Sequence, residues 1–344
     1  MSAEPTSAAP AKAPLLSVRD LHMHYAGRGK SLLAKPATIR AVDGVSFDLA
    51  RGETLGLVGE SGCGKTTTGR ATLRLIEPTS GSIVFDGTDI LTLTAHQMRE
   101  LRREMQIVFQ DPFGSLNPRM TAGELIVEPL VIHGVGDAVS REKRLRELLG
   151  LVGLASYHAG RFAHEFSGGQ RQRICIARAL ALRPSFIVCD EAASALDVSI
   201  QAQILNLLQD LKTEFGLTYL FISHDLGVIR HISDRVAVMY LGEIVEMAGR
   251  DAIFDAPLHP YTTALLHSVP SSRQGKRHFE TIKGDVPSAA NPPPGCRFHT
   301  RCPLAQDICR TSPPPLRALA PGHEVACHFA EQVAENRQKE KAVG

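Results

Sequence analysis

No run of 18 apolar residues occurs anywhere in this chain of 344, so the sequence offers no candidate for a membrane-crossing helix and leaves contact with a bilayer to partner proteins. Neither sign of charge is in excess: 38 Lys and Arg stand against 36 Asp and Glu, a formal charge of +2. That balance excludes a field strong enough to make nucleic acid the main partner, and any phosphate binding has to be local. No heptad pattern is sustained, which excludes a long coiled coil, and no internal repeat emerges. Residues 1–14, rich in Ala, Pro and Ser, lack the apolar segment of a signal peptide. They read as the disordered tail of a protein that stays in the cytoplasm.

With 43 % of its residues hydrophobic, a chain of this length can bury a sizeable core in two or three lobes. Apolar and polar residues alternate from Leu15 to Tyr25 and from Val45 to Leu49, the pattern of half-buried strands in an antiparallel subdomain, with a basic, looped insert, Ala26 to Arg40, between them. Thr54 to Val58 predicts a short buried strand that runs into a glycine-rich turn and a helix from about Lys65 to Ile76. Strand candidates follow at Ser82 to Phe85 and Met105 to Phe109. Helical periodicity at Thr121 to Ile132 and Ser140 to Leu149 then marks a helical subdomain over about 111–182. Helix Gln170 to Leu182, strand Phe186 to Cys189, helix Ile200 to Glu214 and strand Thr218 to Ile222 alternate as a parallel sheet with crossover helices requires. Beyond Pro270 the texture changes to Pro, Gly, Ser and charge. Pro292 to Pro294 and Pro313 to Pro315 argue against regular structure, so 271–330 reads as a separate extension and 331–344 as a tail, Ala330 to Gly344 being a polar helix end or a frayed end.

Gly59-Glu60-Ser61-Gly62-Cys63-Gly64-Lys65-Thr66, continued by Thr67, fits G-x-x-x-x-G-K-[ST] between a predicted strand and a predicted helix. Its glycines let backbone N–H groups curl round phosphates at a helix N-terminus, Lys65 neutralises β/γ oxygens, and the Thr66 hydroxyl ligates Mg²⁺. Phe186-Ile187-Val188-Cys189-Asp190-Glu191 is a buried strand that ends in two carboxylates, placing Asp190 near the metal and Glu191 where it polarises an attacking water. Ser167-Gly168-Gly169-Gln170 opens another helix with small residues and free N–H groups, a second phosphate-binding device. One chain has little use for two such devices on one nucleotide, so the second is expected to serve a nucleotide held mainly by another subunit.

Seven cysteines divide unevenly: Cys63, Cys175 and Cys189 are scattered, whereas Cys296, Cys302, Cys309 and Cys327 crowd into the Pro-rich segment with five, six and seventeen residues between them. In a reducing compartment this cluster suggests a metal rather than disulfides. The spacing is unlike the short C-x-x-C knuckles of common zinc sites, and four thiolates suit either Zn²⁺ or an iron–sulfur cluster. His299, His323 and His328 lie close enough to be alternative ligands. The expected role is structural, stapling a segment too rich in proline to build its own core.

Taken together, the phosphate loop, the two carboxylates, Ser167-Gly168-Gly169-Gln170, Gln110, Ser194-Ala195-Leu196-Asp197 and His224 resemble, in order and spacing, the nucleotide-binding domain of ABC transporters. Phe109-Gln110-Asp111-Pro112-Phe113-Gly114-Ser115-Leu116-Asn117-Pro118-Arg119 and the cysteine-bearing tail resemble more closely the ATP-binding subunits of bacterial oligopeptide and dipeptide importers, over nearly all of Leu15 to Phe329. The resemblance implies an α/β fold, a P-loop NTPase core of the ABC ATPase type in 15–270, with an antiparallel β subdomain, a helical subdomain and a C-terminal Pro/Cys-rich extension. It implies that Tyr25 stacks on adenine, that Gln110 contacts Mg²⁺ and the lytic water, that Glu191 is the general base, that His224 holds the γ-phosphate and that Asp197 lies at a dimer seam. It further implies two ATP molecules sandwiched with a second, similar ATPase, two transmembrane permease subunits, a solute-binding protein acting indirectly, work at the cytoplasmic face of the cell membrane, and a [4Fe-4S] cluster on the four cysteines. Importers of nickel complexes or other small solutes, and a redox-modulated ATPase, are the alternatives. Two departures stand out: Ala192-Ala193 replaces the usual Pro-Thr after the catalytic Glu, and Phe166 stands where the signature usually begins with Leu.

Overall fold

The computed structural model describes residues 13–26, 38–194, 196–268 and 284–335. Its strands are β1 (Leu16–Ala26), β2 (Thr38–Leu49), β3 (Thr54–Val58), β4 (Ser80–Phe85), β5 (Thr88–Asp89), β6 (Met105–Val108), β7 (Phe186–Asp190), β8 (Thr218–Ile222), β9 (Arg235–Tyr240), β10 (Glu243–Gly249), β11 (Arg317–Ala320) and β12 (His323–Val325). The α-helices are α1 (Lys65–Thr72), α2 (Ala95–Leu101), α3 (Pro112–Ser115), α4 (Ala122–Ile132), α5 (Ala138–Leu151), α6 (Gly168–Leu180), α7 (Val198–Phe215), α8 (Leu226–Ile232), α9 (Arg250–Asp255), α10 (Pro260–His267) and α11 (Asp307–Thr311). None of the described helices is long and apolar enough to cross a membrane.

Two sheets carry the architecture. The smaller is antiparallel, in the order β2-β1-β4-β5; the larger has the order β11-β12-β10-β9-β3-β8-β7-β6, parallel from β9 to β6 and antiparallel beyond. Every residue of β3, β7 and β8 is buried, which explains why these strands read as unbroken apolar runs: a parallel strand covered on both faces has no polar side to show. Helices α4, α5 and α6 and the end of β6 share one core with α7 and the outer face of the sheet, while β1, β2 and β4 close a second core over its other face. Helix starts are set by side-chain caps: Thr121 and Glu124 form a capping box on α4, Ser167 and Gln170 another on α6, and Asp197 accepts from Ile200 N at the start of α7. Each such cap contributes about 1 kcal/mol. Gly216, at φ 64°, closes α7 in the left-handed conformation that glycine tolerates.

Three local differences from the sequence reading have clear causes. Helix α1 stops at Thr72 because Arg74 turns left-handed, at φ 47°, and its guanidinium donates to Ile90 O and Leu93 O instead of extending the helix. Residues Thr38 to Arg40, expected as the end of a looped insert, open β2 and pair with β1. The Pro-rich extension is regular in places: β12 adds to β10, β11 to β12, and residues 330–335 are helical. The proline triplets break structure only where they stand: α11 forms between them, and the chain after the second joins the main sheet. Phe298 of this extension is buried in the large core, and Arg40 N donates to Ala289 O.

Candidate functional site

The parallel strands of the larger sheet deliver the chemistry at one edge. The phosphate loop leaves the carboxyl end of β3, Gln110 follows β6, Glu191 follows β7 and His224 follows β8, and crevices outside the carboxyl ends of such strands are where α/β folds hold ligands. In the loop, a Cβ at Gly59 or at Gly64 would stand 2.1 Å from a carbonyl oxygen, Met239 O and Ala41 O respectively, so neither position admits a side chain. The N-cap of α1 is Gly64, with no side-chain cap bond. The first-turn N–H groups are therefore left to an anion. Lys65 is 5 % exposed and lies across its own loop, Nζ donating to Gly59 O at 2.8 Å and Glu60 O at 3.0 Å. Cys63 packs beneath, and burial pushes its thiol pKa up.

Two contacts join the motifs. The Thr66 hydroxyl donates to Asp190 Oδ1 at 2.8 Å, tying the phosphate loop to the end of β7. Asp190 is almost fully buried, and burial, aided by the neighbouring Glu191 charge, raises its pKa. Such a carboxylate is left wanting a cation. Around Glu191 the structure gathers two of the expected groups: Gln110 Nε2 donates to Oε2 at 2.6 Å, and His224 Nδ1 lies 3.0 Å from Oε1. Glu191 itself has φ 49°, a conformation that costs a non-glycine residue roughly 1–3 kcal/mol and persists only where neighbours enforce it. Those neighbours are Ile222 O, which accepts from Glu191 N, and Ser194, whose amide and hydroxyl both bond Glu191 O. Ala192 and Ala193 are buried against this turn, so the small pair fills the place with packing rather than a rigid ring.

Other expected residues are not brought to that point. Ser167 caps α6 and Gly168 and Gly169 begin it, and among the described residues no hydrogen bond links Ser167 to Gln170 with the phosphate loop of the same chain. A Cβ at Gly169 would meet Ile200 Cγ2 at 2.4 Å, so this glycine permits the close approach of α6 and α7. Phe166 is buried with its ring edge-on to His158, a hydrophobic anchor for the segment. Asp197 is exposed and spends its carboxylate on its own helix cap; Ala195 lies outside the described residues. Tyr25 stands at the outer end of β1, opposite Ile39 and 38 % exposed.

The sulfurs of the extension converge. Cys296 N donates to Cys309 O at 2.8 Å, and charge on neighbouring thiols is felt among Cys296, Cys302, Cys309 and Cys327. Burial pushes the Cys296 thiol up to about 11 and that of Cys302 up to about 12. A tetrahedral zinc with bonds of about 2.3 Å sets its sulfurs about 3.8 Å apart, whereas among the described residues no three of these sulfurs lie within 4.8 Å of one another. The three nearby histidines have other partners: His323 Nε2 is 2.7 Å from Glu246 Oε1, His299 Nδ1 bonds Cys296 O and His328 Nε2 bonds Ser312 O.

Sequence reasoning missed the side of the site built by α10 and the extension. Arg301 grips the Glu60 carboxylate, Tyr261 Oη accepts from Glu60 N, and Arg297 reaches Asp43 and Leu241 O. The only signal available was an arginine beside each of the first two cysteines of the cluster.

Comparison with known proteins places these motifs in company. Residues 42–194 match the family model described as ABC transporter, and 245–309 that described as oligopeptide/dipeptide transporter, C-terminal region. The chain is 57 % identical over 91 % of its length to a peptide import ATP-binding protein of Brucella ovis, of which it covers 97 %. It is 54 % identical to the oligopeptide transport ATP-binding protein AppF of Bacillus subtilis, over 92 % of this chain and 97 % of that one. Among solved structures it is similar to the dimeric, post-hydrolysis ATP-binding cassette MJ0796 bound to ADP and Pi, with a TM-score of 0.61 and 30 % identity over 68 % of this chain and 98 % of that chain. The same TM-score, 0.61, relates it to cbiO1 of Clostridium perfringens, at 25 % identity over 71 % and 92 % of the two chains.

Proposed function

The chain belongs to the ATP-binding subunits of ABC transporters and is an ATPase, and from that premise we propose that it energises the import of di- or oligopeptides. The peptide class is favoured over nickel complexes and other small solutes because the relatives at 57 % and 54 % identity are peptide-import and oligopeptide-transport proteins. Residues 245–309, which run from β10 into the extension, continue the same likeness. The subunit works at the cytoplasmic face of the cell membrane, peripherally, with a second ATPase subunit and two membrane-spanning permeases, and a solute-binding protein acts on it only through them. The boundaries 15–270 for the ATPase and 271–330 for the extension serve as the working division.

In the reaction, water attacks the γ-phosphorus as the bond to the bridging oxygen breaks, giving ADP and phosphate. Glu191 takes the proton from the water, Gln110 positions it, and His224 and Lys65 bind the γ-phosphate oxygens. Gly59, Ser61, Gly62, Cys63, Gly64, Thr66 and Thr67 cradle the phosphates, and Tyr25 stacks on adenine. Thr66, Gln110 and Asp190 would hold Mg²⁺, which supplies charge neutralisation of the phosphates. Ser167, Gly168, Gly169 and Gln170 close over the nucleotide of the partner subunit, with Asp197 at the seam. The observation that carries this reading is the convergence of Gln110 and His224 on the Glu191 carboxylate. The test is ATP turnover of the co-expressed complex with Glu191→Gln: turnover lost while ATP still binds supports the assignment, and undiminished turnover removes Glu191 as the base of a working site.

For the four thiols the reading is a [4Fe-4S] cluster held by Cys296, Cys302, Cys309 and Cys327 in a structural role, supported by four free cysteines on one Pro-rich segment whose backbone ties Cys296 to Cys309. Iron and acid-labile sulfide in anaerobically purified protein are the expected contents. Stoichiometric zinc without iron would replace this reading by a Zn²⁺ site, and ATP turnover that follows the redox state of the protein would make the group a regulator.

A further inference from the structure

The cysteine segment touches the phosphate loop through two arginines and an aromatic stack. Arg301, the residue before Cys302, sends Nη1 and Nη2 to the two oxygens of Glu60 at 2.7 and 3.0 Å. Its side chain is 5 % exposed and that of Glu60 24 %. Arg301 Nε is buried without a partner, and Nη1 reaches Tyr240 Oη at 3.4 Å, so the buried guanidinium depends on Glu60 for its counter-charge. Glu60 is the second residue of the phosphate loop. Its N–H is fixed by Tyr261 Oη at 2.9 Å, and its carbonyl is one of the two that hold Lys65 Nζ. Tyr261 is in turn packed on Tyr240 and on Phe298, which lies between Cys296 and Cys302.

A second strut runs beside the first. Arg297, the residue after Cys296, bonds Leu241 O and pairs with Asp43 and, at 2.9 Å, with Glu243. The next residue of that turn, Gly242, donates its N–H to Cys63 O at 2.9 Å, inside the phosphate loop. The backbone that carries both arginines is wound by short turns onto the cysteines themselves: His299 N bonds Cys296 O, Arg301 N bonds Phe298 O, and Cys302 N bonds His299 O. A change in how the thiols are held therefore moves the anchor points of Arg297 and Arg301.

We propose that the cysteine segment is a brace for the phosphate loop in the same chain, with Arg301 as the positioning residue, so that the state of the four thiols and the affinity for ATP are linked through the Arg301–Glu60 pair. The bidentate fork sets the direction of the Glu60 backbone, and through its carbonyl the resting place of Lys65. The coupling is reciprocal: nucleotide in the loop stabilises the cysteine segment by the factor that an intact segment adds to nucleotide affinity. This inference rests on the phosphate loop being the ATP site.

The experiment is binding of a fluorescent ATP analogue to the full-length protein, wild type against Arg301→Gln, Arg301→Lys, Glu60→Gln, the double variant Arg301→Gln/Glu60→Gln, and Cys302→Ser alone and with Arg301→Gln. Arg301→Gln is expected to weaken binding about tenfold, within the usual range for coupled sites, with Arg301→Lys in between. The double variant is expected to bind no worse than the weaker single one. Cys302→Ser is expected to weaken binding in the wild type and to add nothing once Arg301 is Gln. Wild-type affinity in a folded Arg301→Gln variant, or additive losses in either pair, would overturn the brace; if Cys302→Ser fails to fold, thiol alkylation of the folded wild type and of Arg301→Gln takes its place, and an equal loss in both would overturn the link. Lys65→Ala is the control: retained binding there would refute the phosphate-loop assignment instead.

Discussion

Acid should weaken this fold through one buried imidazole, His259, and the size of the effect can be worked out. The ring is 1 % exposed at the start of α10, and Nδ1 accepts the N–H of Tyr261 at 3.0 Å, so it must be neutral for α10 to be capped. Burial moves its pKa down from 6.5 to about 4, against the pull of the nearby Glu246 carboxylate. The unfolded chain thus binds a proton at His259 that the folded chain refuses between those values. Stability from this residue is fully present above pH 6.5, falls as pH drops towards 4, and is level below. Between pH 7 and 4.5 the linkage integral for these two values is about 2 kcal/mol. The assay is denaturant unfolding of the wild type and of His259→Asn, whose side-chain oxygen replaces the acceptor on Tyr261 N, at half-unit steps across that range. Carboxylates such as Asp43, whose pKa is lowered by the Arg297, His24 and His22 hydrogen bonds despite opposing burial, also lose stability in acid, but they are common to both proteins and cancel in the difference. The wild type should lose about 2 kcal/mol more than His259→Asn on going to pH 4.5. Parallel curves for the two proteins would refute the argument, because they would mean that His259 carries the same protons folded and unfolded.

Gly64→Ala should abolish nucleotide binding, since its Cβ would stand 2.1 Å from Ala41 O at φ 111°; calorimetric titration with ATP showing wild-type affinity would contradict that. Ser167→Arg should leave ATP binding by the lone subunit unchanged, because Ser167 bonds only within its own segment, yet should lower turnover of the assembled complex at least a hundredfold if the residue serves the partner's nucleotide. Tyr261→Phe should cost about 1 kcal/mol in unfolding experiments by leaving Glu60 N without its acceptor, and should raise the ATP concentration needed for half-maximal rate; a variant as stable and as active as the parent would show that water replaces the phenol.

The parts of the site that sequence reading reached are those whose chemistry is local. The phosphate loop is legible because Gly59 and Gly64 face carbonyl oxygens at distances that exclude any Cβ, and because a strand before and a helix after are both visible as patterns. Asp190 and Glu191 are legible as the only polar end of a fully buried strand. Strands β3 and β8 are legible end to end for the same reason, an apolar run covered on both faces. Where pairing rather than pattern decides, the reading stops. Thr38 to Arg40 looks like loop because it ends a basic insert, and it is strand because β1 stands beside it, Tyr25 opposite Ile39 and His24 opposite Arg40.

The extension makes the same point in energetic terms. Its prolines speak truly about backbone at the triplets, but they say nothing about β12, three residues long, which is ordered only because β10 offers it an edge. Nor does any local pattern announce Arg301, whose partner Glu60 lies 241 residues earlier. An exposed ion pair of this kind would contribute little. Here the guanidinium is buried, so it must be paired or be lost as a stable arrangement, and that requirement is what selects one docking of the extension over others. A contact that fixes where a segment sits, and that ends on the loop holding the phosphates, belongs to the working part of the molecule as much as the motifs that announce themselves.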